Sequence, residues 1–145
     1  MILQSDQFSC GAASLVNALR AIGQSLNIKA AARLAGTHPV NGTTDAGLLR
    51  ALRNLGFHPQ QLSVLDDFHQ AIAALRGRLM MGDPVLLSVD NDEHWVVAIG
   101  IIGQRVIVVD SASGDLTLVV DASTLKSRWM IHHKSHDFYT GIVIC

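Results

Sequence analysis

A thiol, an imidazole and a carboxylate occur in this chain at positions where secondary structure would hold them: Cys10, His94 and Asp110. Cys10 opens the apolar run "CGAASLVNAL" after the polar lead-in "QSDQFS". A cysteine in the first turn of a helix faces unpaired backbone N–H groups and the positive end of the helix dipole, both of which favour the thiolate. Gly11 beside it would let a substrate backbone approach the sulfur closely. Taken alone, Cys10 is better explained as a small buried hydrophobe packed with Gly11, Ala12 and Ala13. A nucleophile also needs a base within hydrogen-bond reach and a third group to orient that base.

Seven histidines are candidates for the base. His38, His58 and His69 sit in polar or helix-boundary contexts and read as solvated. His132, His133 and His136, in "IHHKSH", read as a surface loop, because no neighbouring cysteine or acidic cluster completes a metal set there. His94 differs: it opens the apolar strand "HWVVAIGII", which would fix it at the rim of a sheet. The following strand, "RVIVVDSASG", ends on Asp110, sixteen residues after His94.

A hairpin turn at Ile102 and Gly103 would bring the two side chains together. If the pairing is centred on Ile102, His94 and Asp110 are directly opposed, with Cβ atoms about 5 Å apart; if on Gly103, they are diagonal neighbours at about 7 to 8 Å. Side-chain parity agrees, since His94, Val96 and Ala98 share one face, as do Val106, Val108 and Asp110. Asp92 and Glu93 also neighbour His94, but one falls in the turn and the other points to the opposite face. For an oxyanion, the Cys10 N–H offers one donor, and Gln4 and Gln7 both qualify by type as the second. Their positions alone do not choose between them.

These groups need a helix for the cysteine and a sheet for the histidine and aspartate. From Cys10 to Ile22 the polar residues Ser14, Asn17 and Arg20 form a narrow stripe on an otherwise apolar helix that stops at Gly23. Further helices are expected over Ile28 to Ala35, from Asp45 to Gly56 with Thr44 as N-cap, and from Asp66 with Phe68, Ile72, Leu75 and Leu79 on one face. After Pro84 come strands over Val85–Val89, His94–Ile101, Arg105–Asp110, Leu116–Val120 and Tyr139–Ile144. Helices followed by antiparallel strands indicate an α+β fold, read here as one domain over residues 1–145.

Bulk composition excludes several alternatives. A net charge of −1, 16% charged and 49% hydrophobic residues exert no strong pull toward nucleic acid or anionic membrane. The apolar run Trp95–Ile102 is far shorter than the roughly 20 residues of a membrane span, and no basic segment followed by an apolar stretch opens the chain. The cytosol is therefore the expected compartment. Only Cys10 and Cys145 could pair, and that setting leaves Cys10 a free thiol.

With these residues in place the chain resembles the C39 family of bacteriocin-processing, double-glycine-leader cysteine peptidases. The resemblance rests on Gln4 six residues before "CGAASL", on "HWVVAIG" and on "VIVVDSASG". It extends to "NGTTDAGLLRALRNLGF", to "GDPVLLSV" before the histidine, and to Trp129 after a last connecting helix. It implies a papain-like fold with a central buried helix packed on a C-terminal antiparallel sheet. Carried over by residue, it makes Cys10 the nucleophile, His94 the general acid/base, Asp110 its orienter and Gln4 the oxyanion donor, with Gln7 outside the site.

No cofactor or metal is implied. The implied substrate is a peptide or protein, in many relatives one with a Gly-Gly leader, and the implied partner is a separate transporter or biosynthetic protein. Ser9 replaces the family's usual aspartate before the cysteine, and Ser111 replaces its proline after the aspartate; both are expected to affect loop shape and substrate preference. The same site could pass the acyl group to an amine, as an acyltransferase or isopeptidase does, or serve only to bind a leader.

Overall fold

The computed structural model describes residues 1–145. Its helices are α1 (Cys10–Ala21), α2 (Ile28–Ala35), α3 (Asp45–Asn54), α4 (Phe68–Met80) and α5 (Ala122–Trp129). Its strands are β1 (Gln60–Leu65), β2 (Val85–Val89), β3 (His94–Ile102), β4 (Arg105–Val109), β5 (Thr117–Val120), β6 (Ile131–His133) and β7 (His136–Val143). Every strand pairing is antiparallel, in the order β1-β7-β2-β3-β4-β5, and β6 pairs with the start of β7. No helix is long and apolar enough to cross a membrane.

Alternation along the strands divides the core between the two faces of this sheet. On one face Leu86, Trp95, Val97, Val109 and Ile142 pack with α1, α2 and α3. On the other, Leu87, Val96, Val108 and Val143 pack with Leu75 of α4 and Trp129 of α5. Covered on both faces and paired on both edges, β2 is buried along its whole length, which is why "VLLSV" lacks polar alternation. The same logic explains α1. Every residue from Cys10 to Leu19 is buried, and the stripe at Ser14 and Asn17 is not a solvent face.

Those two polar side chains tie α1 to its neighbours. Ser14 Oγ donates to the Trp95 carbonyl at 3.0 Å. Asn17 accepts from the Ile2 N–H (2.7 Å) and donates to the Ile2 carbonyl (3.0 Å), pinning the lead-in along the helix. A buried amide costs little when both its ends are paired in this way.

Helix ends follow the sequence chemistry. Asn27, Thr44, Asp67 and Asp121 each accept a backbone N–H as N-caps of α2, α3, α4 and α5. The order of helices first and strands afterwards needs correcting in two places. β1 lies between α3 and α4, and α5 interrupts the strand series. The segment "IHHKSHD" is also not a loop but the β6–β7 hairpin. There His132 pairs with Asp137 and His136 with Asp66, with all four side chains substantially exposed.

Candidate active site

Cys10 is the first residue of α1, and its thiol meets the His94 ring and the Trp95 backbone N–H at the start of β3. The N-cap, Ser9, makes no side-chain cap bond; its hydroxyl turns back to the Asp6 carbonyl. First-turn N–H groups are thus left open toward the sulfur. Burial, the largest influence, raises the Cys10 pKa. It is outweighed by the His94 ring, the Trp95 backbone N–H, the His94 charge and the Gly11 N–H, which together bring the thiol below its ordinary value of 9.0.

His94 starts β3, and its Nε2 lies 2.8 Å from Asp110 Oδ1. With Nε2 committed to Asp110, Nδ1 is the ring nitrogen left for the Cys10 thiol. Side-chain exposure is 13% for His94 and 7% for Asp110, so the pair is largely shielded from water. Burial pulls the imidazole down, but its bonds to Asp110 and Cys10 push its pKa up to about 9. For Asp110, burial acts upward. The His94 ring, the Ala112 N–H and Arg128 reverse it and hold the carboxyl well below the usual carboxylate range. The shifts all run toward the ion pair: the thiol is lowered beside His94, the imidazole is raised between Asp110 and Cys10, and the Asp110 carboxyl is lowered.

The β3–β4 hairpin achieves this by a different route from a turn at Ile102–Gly103. Ile102 pairs with Arg105, so the turn is Gly103–Gln104, and Ile99 is an extra residue between Ala98 and Gly100. Beyond this bulge Ala98 faces Val108 and Val97 faces Val109. Asp110 therefore falls in register with Val96, diagonal to His94, as a pairing centred on Gly103 would have placed it.

Gly11 is required by packing. A Cβ there would lie 2.6 Å from the Thr43 Cβ, so the glycine makes room for the loop before α3. The Thr43 carbonyl accepts the buried Trp95 indole N–H at 3.0 Å, and Thr43 Oγ1 bonds Thr37 Oγ1 at 2.7 Å. This packing builds one wall of a cleft lined by Gln7, Phe8, Cys10, Val40, Thr43 and Trp95. Asp92 and Glu93 also border it.

Gln4 and Gln7 occupy different places. Gln7 lines the cleft with Cys10. Gln4 lies in an adjoining shallow depression that Gln7 also borders. Its Nε2 donates to the Asp6 carbonyl (2.7 Å) and its Oε1 accepts from Ser111 Oγ (2.8 Å), while its backbone N–H donates to the Ser111 carbonyl (2.9 Å). Ser111 therefore acts on the placement of Gln4 as well as on loop shape. It fixes which end of the amide is oxygen and leaves the second Nε2 hydrogen uncommitted.

Arg128, on α5, has no counterpart in the sequence reading. Its Nη1 donates to Asp110 Oδ2 at 3.0 Å, and its Nε and Nη2 grip Asp90 at 3.0 and 2.7 Å. The signal available in sequence was only the helix pattern of Asp121, Leu125 and Trp129; nothing in spacing links Arg128 to a residue eighteen positions earlier.

Comparison with known proteins places this geometry in context. A sequence model described as the peptidase C39 family matches residues 1–135. The peptidase domain of Streptococcus ComA, a bifunctional ABC transporter involved in quorum sensing, superposes with a TM-score of 0.71 at 20% identity. That match covers 96% of this chain and 95% of the other. A double-glycine-motif protease from an AMS/PCAT transporter, solved with its leader peptide, gives 0.69 at 19% identity over 97% and 89%. The N-terminal C39-like domain of a toxin-secretion ATP-binding protein from Vibrio parahaemolyticus gives 0.58 at 15% identity over 91% and 95%. No curated protein sequence matches the chain. The shared architecture is the papain-like α+β fold of C39 peptidase domains.

Proposed function

The chain belongs to the peptidase C39 family, and from that premise we propose that residues 1–145 act as one cysteine peptidase unit whose nucleophile is Cys10. His94 draws the thiol proton, so the resting pair is thiolate and imidazolium. The sulfur attacks a peptide carbonyl, and the imidazolium gives its proton to the departing amine. Neutral His94 then takes a proton from water, which attacks the thioester and releases the acid. Asp110 holds the ring and balances its charge in the ionised steps. The Cys10 backbone N–H and the free amide hydrogen of Gln4 stabilise the oxyanion, with Gln7 as the neighbouring donor.

The observation that carries this reading is the unbroken row Cys10–His94–Asp110 at an uncapped helix N-terminus opening into a cleft. The proposed substrate is a peptide whose leader ends in Gly-Gly, met in the cytoplasm and delivered or exported by a separate partner protein. A similar fold with a leader peptide bound supports that choice. The test is digestion of a peptide library read by mass spectrometry, run beside Cys10→Ala. Cleavage by the wild type after small residues and none by the variant is expected. A wild-type Cys10 that resists a thiol-directed electrophile at neutral pH would overturn the proposal. Products joined to an added amine would instead identify an acyltransferase, and intact bound peptide a leader-binding module.

A further inference from the structure

We propose that Arg128 is the positioning residue of the site, clamping Asp110 so that its Oδ1 is presented to His94. This inference rests on the assignment of Asp110 as the group that orients His94. The two carboxylate oxygens of Asp110 have different neighbours. Oδ1 accepts from the His94 ring and from the Ala112 N–H at 3.0 Å, whereas Oδ2 accepts from Arg128 Nη1 alone. Asp110 stands just beyond the last residue of β4, where ladder pairing no longer restrains it. Removing Arg128 would leave Oδ2 without its one protein donor, and the carboxylate would be free to turn.

Arg128 is itself held. Its backbone carbonyl accepts the Asp90 N–H at 2.8 Å while its side chain grips the Asp90 carboxylate through two donors. Asp90 begins the turn that leads into His94, and Asp90, Asn91 and Asp92 all have left-handed backbone. One guanidinium therefore references the start of β3 and the end of β4 to the same point on α5. A planar fork suits this task, because a lysine could not hold two carboxylates in fixed directions.

The charges are also arranged for the reaction. The ionisable groups in contact along the row are Cys10, His94, Asp110, Arg128 and Asp90. A lone arginine behind Asp110 would oppose the imidazolium in front of it. Asp90 offsets that positive charge, so the Asp110–Arg128–Asp90 group keeps a net negative charge toward His94.

Iodoacetamide alkylation of Cys10 against pH, measured with steady-state cleavage, tests the proposal in the wild type, Arg128→Met and Arg128→Lys. Loss of the clamp is expected to move the alkylation midpoint upward by about one pH unit. It is expected to lower kcat by roughly tenfold to a hundredfold, the cost of a misplacement of about 1 Å, while KM changes little. Arg128→Lys should recover part of both losses and carries the test if Arg128→Met does not fold. A wild-type midpoint in the ordinary thiol range would overturn the Cys10–His94–Asp110 reading itself. A lowered wild-type midpoint unchanged in both variants, with kcat also unchanged, would overturn only the role of Arg128.

Discussion

His94 and Asp110 meet on the same side of the sheet because β3 carries one residue more than β4 between them. Extending the Ile102–Arg105 register without interruption would set Asp110 opposite Val97 and turn it to the face away from His94. The bulge at Ile99 shifts the register by one, so Asp110 aligns with Val96, which shares the His94 face. Deleting Val109, on the Asp110 side of the bulge, would set Asp110 opposite Val97 and is therefore expected to abolish cleavage while leaving the circular-dichroism signal of the sheet. Ile99→Ala keeps the residue count and should retain activity within about threefold, at a stability loss of roughly 2 to 4 kcal/mol from the trimmed, partly buried side chain. Activity in the Val109 deletion would show that cleavage does not depend on His94 and Asp110 sharing a face.

The order of titration provides a second expectation. Free thiols lose their proton above the pH at which free imidazoles have already lost theirs, so the two charged forms would scarcely coexist. Here Cys10 is pulled below 9.0 and His94 is pushed up to about 9, which inverts that order. Cleavage should rise as Cys10 ionises and fall again near pH 9, where the imidazolium needed to protonate the amine is lost. Alkylation needs only the thiolate, so it should rise without the alkaline fall. In His94→Gln the alkylation midpoint should move upward toward the ordinary thiol value. A stopped-flow alkylation profile beside a cleavage profile checks both limbs.

A third expectation concerns Gly11. Adding a methyl group there forces it against the Thr43 Cβ at 2.6 Å, and Thr43 cannot retreat without disturbing the Trp95 indole bond. Gly11→Ala should cost about 1 to 3 kcal/mol in urea unfolding, the usual range for overpacking. Thr43→Gly removes the opposing carbon. The double variant should therefore show a favourable coupling in a double-mutant cycle, and additive losses would mean that the loop relaxes without meeting the helix.

Much of this was legible in the sequence, for reasons that differ by residue. Cys10 was readable from the switch between polar and apolar residues at a helix start, and His94 and Asp110 from their positions at the ends of apolar runs. The helix over Ile28–Ala35 and the Thr44 cap follow from local chemistry and match the structure. β1 was missed because "QQLSVL" opens on two glutamines and buries only Leu62 and Val64, the weak signature of an edge strand. The bulge at Ile99 has no local marker such as a glycine at its own position. Close packing at Gly11 is readable from its small neighbours, but Thr43 as the partner is not, because it is remote in sequence. Arg128 was invisible because its two partners come from separate loops and only folding brings them together.

The last expectation separates the two glutamines. Gln4 is the oxyanion donor that the family resemblance implies, yet Gln7 lines the cleft with Cys10 while Gln4 is held in the adjoining depression. The Ser111 hydroxyl occupies the Gln4 carbonyl and the Asp6 carbonyl takes one of its amide hydrogens, leaving one hydrogen free for a developing oxyanion. A donor used only in the transition state lowers kcat when removed, whereas one that binds substrate in the ground state raises KM. Gln4→Ala should therefore cost about 10² to 10³ in kcat with KM little changed. Ser111→Ala frees the amide to rotate and should lose part of that factor through the same parameter. Gln7→Ala should act mainly on KM. Steady-state kinetics on one fixed peptide decides the matter, and a kcat loss confined to Gln7→Ala would transfer the oxyanion role from Gln4 to Gln7.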